Sequence, residues 1–172
     1  MAVKILGSAI IMAASVGFGF YLSGRDTYRC CELMQMKKAL NILVSEIRFS
    51  NALSEAAINV SDRVNGAVSH LFAAFGASLA QRAQGTVLEF WENSITAVKA
   101  RSYFTDDDFE MFLNLGKTFG YLDKQMQIDA ICLVIGQIDG EYALLSQKRD
   151  QNKKLYLNLG ALGGLAVVIT LL

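Results

Sequence analysis

The two ends of the chain carry the feature that most restricts its fold, a long apolar run without a single charge. Ile5–Leu22 and Leu155–Leu172 are each 18 residues long and contain no Asp, Glu, Lys or Arg. A helix of that length reaches about 27 Å, close to the ~30 Å hydrocarbon core of a bilayer. We therefore predict a transmembrane helix in residues 1–23 and another in residues 155–172, with one domain, residues 24–154, between them.

The first apolar run has a second interpretation, a cleaved signal peptide. A signal peptide has a basic amino-terminal stretch and ends in a cleavage site of the Ala-x-Ala type. This chain has only Lys4 before the run, and Leu22–Asp26 offers no such site. A retained transmembrane helix is therefore favoured, and cleavage stays an alternative.

Basic residues near both apolar runs lie on the side of the middle domain. Because loops rich in Lys and Arg stay in the cytoplasm, this asymmetry predicts a two-pass protein of the cell membrane with a cytoplasmic central domain. The basic residues are Arg25, Arg29, Lys37 and Lys38 after the first run and Lys148, Arg149, Lys153 and Lys154 before the second.

The middle domain has the sequence pattern of an all-α protein. The chain contains no proline, and its apolar residues recur three and four positions apart, which is the spacing of one helix face. We predict a bundle of about six helices between two transmembrane helices. Two stripes are expected to face each other as an antiparallel stalk: Leu33, Met36, Leu40, Leu43 and Ile47, and Ile128, Ile131, Ile135, Ile138, Tyr142 and Leu145.

Capping residues predict where the helices begin and end. Ser54 is expected to cap a short helix that closes at Asn65-Gly66. Thr86 fits a capping box, because a Glu follows it three residues later. Thr105 starts the next helix, where the following acids are favoured by the helix dipole, and Asp123 begins the last one.

No arrangement of reactive side chains predicts an active site, a cofactor or a metal ion. The 16 basic and 16 acidic residues cancel and are mixed along the middle domain, which argues against a nucleic-acid partner. His70 is the only histidine, and Asp106–Asp108 lacks the glycine of a calcium loop. Gly116–Thr118 lacks the upstream glycine of a phosphate-binding loop. A membrane enzyme acting through Asp106–Asp108 and His70 is the weakest of the alternatives.

Aromatic residues fall at helical spacings through the middle domain. A buried core explains them, and the alternative is that an exposed subset forms a groove for a partner. The residues concerned are Phe72, Phe75, Phe90, Trp91, Phe109, Phe112 and Phe119.

Several stretches together match the layout of a known family. Phe112–Gln127 contains the motif L-G-K/R-T-x-G-x-x-D-x-x-x-Q, and Leu40–Ile47, Trp91 and Asn152–Gly164 complete the pattern around it. On these residues the chain resembles the stage III sporulation protein AB family of endospore-forming bacteria. The resemblance covers nearly the full chain.

The resemblance implies a membrane protein made in the mother cell, within the complex that joins mother cell and forespore during engulfment. Its cytosolic domain would be similar to the helical domains of the type II secretion inner-membrane platform protein, which docks a secretion ATPase. The implied partners are such an ATPase, ring-forming sporulation membrane proteins and the lipid bilayer, with a homo-oligomer as a further expectation. The implied function is a non-enzymatic platform or scaffold. The alternative is a membrane-tethered adaptor, unrelated to secretion, that dimerises through the stripes at 33–47 and 128–145.

One charged cluster is our candidate for the surface that binds a partner. Arg101, Asp106, Asp107, Asp108 and Glu110 lie close together in sequence, and we expect them at the end of the bundle far from the membrane. They would form a charged contact surface for the ATPase.

The family motif itself has a structural explanation. Gly116 would let two helices approach closely, Gly120 would end a helix in the left-handed conformation, and Asp123 would cap the next helix. Gln127 completes the match. The motif is therefore expected to mark the fold.

Overall fold

The chain folds into six α-helices, and the computed structural model shows no strand among the residues it describes. Those are residues 25–49, 52–81, 84–119 and 123–148, with the backbone alone described for 2–24 and 149–171. The prediction of an all-α fold of about six helices is confirmed. The helices are α1 (Ala2–Arg48), α2 (Leu53–Ser61), α3 (Gly66–Ala80), α4 (Val87–Lys99), α5 (Asp106–Gly116) and α6 (Lys124–Leu171).

Contacts divide the chain into two compact units. One is Met1–Tyr28 with Ala143–Leu172, and the other, here named the central domain, is Arg29–Tyr142. Within the part of the chain that the structure describes, no helix is both long and apolar enough to cross a membrane. The two predicted spans, 5–22 and 155–172, lie outside the residues whose side chains are described, so they stay predictions.

Inside the central domain, α1 and α6 run antiparallel with their apolar stripes turned inward. Lys37 Nζ lies 2.5 Å from Asp139 Oδ1, and Lys124 Nζ donates a hydrogen bond to Arg48 O at 2.6 Å, so the two helices run in opposite directions. The predicted antiparallel pairing is confirmed. The alternative hypothesis of a dimer that forms through these stripes is wrong, because the stripes are already buried within one chain. Their fully buried members include Leu33, Met36, Leu40, Leu43, Ile131 and Ile138.

The short helices α3, α4 and α5 pack around Trp91. The rings of Phe72, Phe75 and Phe119 lie edge-on to its indole, with centroid separations of 5.6, 5.0 and 5.2 Å. Edge-to-face pairs of this kind stabilise a core beyond the area they bury. The aromatic residues therefore form the core, and the alternative of an exposed aromatic groove is wrong for Phe72, Phe75, Trp91, Phe109, Phe112 and Phe119, all of which are buried.

Most of the predicted helix starts are confirmed. Thr86 Oγ1 accepts a hydrogen bond from Glu89 N at 3.2 Å, and Glu89 Oε2 accepts one from Thr86 N at 2.9 Å, which completes the capping box. At the start of α6, Met126 N donates to Asp123 Oδ1 at 2.9 Å. In both places a side chain satisfies a backbone N–H that the helix itself leaves unpaired.

Two boundary predictions around α2 are wrong. Ser54 lies inside the first turn, and the cap position is Ala52, whose carbonyl accepts from Ala56 N at 2.9 Å without any side-chain cap. Asn65 is extended and Gly66 has φ +68°, so this pair begins α3 and does not close α2. A glycine with positive φ marks a change of chain direction equally well before or after a helix.

Candidate functional site

A partly buried ion cluster joins three helices of the central domain. Arg29 of α1 binds Asp108 of α5 in a two-pronged contact, with Nε–Oδ2 2.7 Å and Nη2–Oδ1 2.8 Å. The same Nη2 lies 3.1 Å from Glu141 Oε2 of α6. Only 2% of the Asp108 side chain is exposed, so the guanidinium supplies most of what replaces water around this carboxylate.

Asp108 also caps its own helix. Its Oδ2 accepts a hydrogen bond from Thr105 N at 2.8 Å, and its backbone N donates to Thr105 Oγ1 at 3.3 Å. The start of α5 is thereby confirmed as a capping box. One carboxylate therefore fixes both where α5 begins and how α5 is held against α1.

The electrostatics of the cluster favour ionised Asp108. Burial alone raises the pKa of this carboxyl, but the hydrogen bond from Arg29, the one from Thr105 N–H and the positive charge of Arg29 outweigh it, and the pKa falls below its ordinary value. The hydrogen bond to Asp108 in turn raises the pKa of Arg29 against the effect of its burial. The pair is a permanent ion pair at neutral pH.

A second contact fastens the α4–α5 connection to the same end of α1. Tyr103 N donates to Glu32 Oε2 at 2.6 Å. Burial raises the pKa of Glu32, and this hydrogen bond opposes the rise. Arg29 and Glu32 are one helical turn apart on α1, so the connection and the start of α5 both lie at the Arg29 end of the central domain.

The predicted contact residues separate into two environments. Arg101, Asp106, Asp107 and Glu110 are exposed, and Asp106 Oδ1 lies 2.8 Å from Lys99 Nζ. Asp108 is buried in the ion cluster, so its prediction as a surface residue is wrong. Helix periodicity explains the difference, because only one of three consecutive acids at a helix start faces inward.

With the two apolar runs as membrane spans, the location of this surface would differ from the prediction. The acidic start of α5 lies beside Arg29 and Glu141, at the end of the central domain from which α1 and α6 continue toward the predicted spans. The far end of the domain is instead marked by Arg48 and Lys124. The four exposed residues therefore lie at the Arg29 end of the central domain, which with those spans would be the end near the membrane.

The family motif has the structural role expected for two of its residues. A Cβ atom at Gly116 would lie 2.9 Å from Cγ of Trp91, and Trp91 Nε1 donates to Phe112 O at 2.8 Å. Gly116 therefore permits the close approach of α4 and α5, as predicted. Asp123 caps α6, also as predicted.

The remaining motif positions add less. Gly120 lies outside the described residues, and Gln127 is half-buried on α6. The Gly116–Thr118 letters form a turn at the carboxyl end of α5, where Thr118 Oγ1 donates to Leu115 O at 2.7 Å. Backbone carbonyls, which repel phosphate, face outward at such an end.

His70 and the three cysteines are not part of this ion cluster. His70 is exposed on α3. No three His, Cys, Asp or Glu side chains in this part of the chain are grouped so as to hold a metal ion. Cys30 is buried, Cys31 and Cys132 are exposed, and none of the three forms a disulfide.

Arg29 is a member of the site that the sequence patterns above do not predict. A signal was present, because Arg29 precedes Leu33, Met36 and Leu40 at spacings of four, three and four, in phase with the buried stripe of α1. A charged residue in such a stripe needs a buried partner. Asp108 is that partner, 79 positions later in the chain.

These features define an all-helical domain whose first and last long helices run antiparallel and are held together at one end by a partly buried arginine. Comparison with known proteins gives the family. The family model for stage III sporulation protein AB matches residues 4–172, and the chain belongs to that family.

Two relatives agree with this assignment. Stage III sporulation protein AB of Bacillus subtilis (strain 168) is 27% identical over 170 residues, which covers 98% of this chain and 99% of the relative. A solved structure of stage III sporulation protein AB superimposes with a TM-score of 0.67 at 24% identity, covering 72% of this chain and 98% of that one. The structural likeness supports the fold.

Proposed function

We propose that this protein is a non-enzymatic platform in the membrane of the mother cell, within the complex that joins mother cell and forespore. Membership of the stage III sporulation protein AB family supports the sporulation role. The uncharged runs 5–22 and 155–172 would anchor the protein in the bilayer, and the central domain would face the cytoplasm.

The observation that carries this proposal is the Arg29–Asp108–Glu141 cluster. It fastens α1, α5 and α6 to one another at the end where both long helices leave the central domain. A domain anchored through two helices at one end needs a firm joint there, because any displacement of an anchor is otherwise absorbed by slippage between the helices. The cluster supplies such a joint without performing chemistry.

The proposed partner is the secretion-type ATPase of the same assembly, alongside ring-forming sporulation membrane proteins. Arg101, Asp106, Asp107 and Glu110 are exposed at the Arg29 end and remain our candidate contact residues. Charged residues that stay in solvent give specificity and speed of association more than affinity. A partner that binds them would approach close to the membrane.

Co-purification tests this proposal. The full-length protein in detergent is mixed with the ATPase encoded beside it, and both complex formation and ATP hydrolysis are measured. We expect a complex whose yield falls when Asp106, Asp107 and Glu110 are all changed to Ala.

The matched control changes the exposed acids Glu55 and Asp62, which lie on and just after α2. This control should bind normally. Normal binding by the triple variant would remove these residues as the contact, and no complex with the folded wild type would overturn ATPase docking itself.

A further inference from the structure

The exposed face of α1 in the central domain is cationic. Lys38 and Arg48 lie on it, and no acid among the described residues does, since Glu32 is half-buried and Glu46 is buried. Met34 is 41% exposed in the middle of this face. The ammonium group of Lys38 has no acidic partner within the described part of the chain.

The exposed face of α6 is acidic and partly apolar. Its exposed charged residues between 123 and 142 are Asp123, Asp129, Asp139 and Lys124. Asp139 is paired with Lys37 of α1 and Asp123 caps the helix, so Asp129 is the acid that this face offers to a partner. Leu133 is 66% exposed, which is unusual for a leucine on a surface helix.

A shallow hollow follows Leu133 on the same face. Gly136 and Gly140 are both exposed, and a Cβ atom on either would meet nothing within 4 Å. Two glycines four residues apart allow another helix to approach closely, because no side chain keeps its backbone away. The hollow is open in the single chain.

The antiparallel pairing of α1 and α6 sets which residues stand at the same level. Lys37 stands opposite Asp139, so Met34, three residues earlier on α1, stands level with residue 142 on α6. Arg48 stands opposite Lys124, and by the same count Met34 stands level with residue 138. Gly140 lies between these values. Arg48 in the same way stands within five residues of Asp129, about 8 Å at most along a helix.

We propose that a second copy of this chain packs on this surface, with α1 of each copy lying against α6 of the other. Met34 of one copy then fills the hollow at Gly136 and Gly140 of its partner, and Arg48 meets Asp129. A two-fold axis parallel to the long helices makes both contacts at once and keeps both copies pointing in the same direction. Charge selects this arrangement, because pairing α1 with α1 would oppose cations and pairing α6 with α6 would oppose acids.

Disulfide cross-linking in membranes tests the pairing. Two differently tagged full-length copies are co-expressed with Cys31→Ser and Cys132→Ser in both, Met34→Cys in one and Gly140→Cys in the other, and are oxidised mildly. We expect a cross-link between the two tags, and only weak cross-links within each tag. The control replaces Gly140→Cys by Ala97→Cys, which is exposed on α4 and should not react.

Absence of the Met34→Cys to Gly140→Cys product, or a stronger product between two copies of the same variant, would overturn the pairing. Native mass spectrometry of the wild type should show two copies, and a single copy or a larger ring would overturn the two-fold arrangement. The test is independent of ATPase docking.

Two further variants separate the interface from folding. Gly140→Leu should leave thermal unfolding unchanged, since the site is open in one chain, while native mass spectrometry shows loss of the dimer. Arg48→Glu should lower the fraction of dimer about fivefold, and Asp129→Arg in the same chain should restore it. Loss of dimer without restoration by the second change would contradict the Arg48–Asp129 contact.

Discussion

Asp108 is a buried carboxylate paired with one arginine that lies 79 positions earlier in the chain. With Glu141 on the same guanidinium, Arg29 carries two acids from two different helices. Removing one partner of a buried ion pair costs far more than the pair contributes, because the remaining charge keeps its desolvation cost without compensation. Arg29 is therefore the most sensitive charged residue of the domain.

Arg29→Met should lower the free energy of unfolding by about 3 kcal/mol, because Asp108 is left buried and unpaired. Lys37→Met is the matched control, since Lys37 and Asp139 are 29% and 49% exposed. The control should cost no more than about 1 kcal/mol. Urea unfolding of the full-length protein, followed by the fluorescence of Trp91, measures both values. Equal losses in the two variants would contradict the special role of Arg29.

The stability supplied by Asp108 should depend on pH. Its pKa is lower in the folded state than its ordinary value of 3.8, so the ionised group stabilises the fold above that value. This contribution is lost as the pH falls through the folded-state pKa. The difference in unfolding free energy between wild type and Asp108→Asn should hold from pH 7 to about pH 5 and shrink below about pH 4.

The comparison isolates Asp108 from its neighbours. Burial raises the pKa of Glu32, so that carboxyl contributes in the opposite sense, with stability lost as pH rises through its folded-state pKa. Because wild type and Asp108→Asn share Glu32, the effect of Glu32 cancels in the difference. A difference that stays constant down to pH 3 would contradict the lowered pKa.

At the level of elements, local patterns predicted the helices and distant contacts decided the site. Thr86, Thr105 and Asp123 act within one turn of themselves, so their capping roles were readable from the sequence. The burial of Asp108 depends on Arg29, which lies 79 positions earlier in the chain, and no local sequence pattern links residues so far apart. The direction in which the short helices point along α1 is set by their connections, and for that reason no local pattern places the acidic start of α5 beside Arg29.

The close contact of α4 and α5 gives a prediction of its own. Gly116→Ala should cost about 1–3 kcal/mol, because the added methyl group would overlap the Trp91 indole in a fully packed core. Gly136→Ala is the control, since nothing lies within 4 Å of its Cβ position. That change should be neutral or stabilising by up to about 1 kcal/mol, as expected for Ala over Gly in a helix. Urea unfolding compares the two, and a Gly116→Ala protein as stable as wild type would show that α4 and α5 do not need this approach.

For the whole molecule, the apolar ends and the charge asymmetry beside them predict a topology. In a cysteine-free background, Arg63→Cys lies in the exposed turn between α2 and α3 and should be cytoplasmic. An impermeant maleimide should label it only after the cells are permeabilised. Ala2→Cys, before the first run, should be labelled in intact protoplasts. Labelling of Arg63→Cys in intact protoplasts would overturn the proposed orientation.

The antiparallel pair of α1 and α6 also has a mechanical consequence. The two helices are fastened at the Arg29–Glu141 contact and again where Lys124 meets Arg48. A pull applied along one helix is therefore passed to the other as shear spread over their whole buried seam. Polar fastenings and apolar packing loaded in shear must break together, whereas contacts loaded one at a time would peel apart in sequence. The central domain should resist axial tension far better than a sideways pull on its short helices.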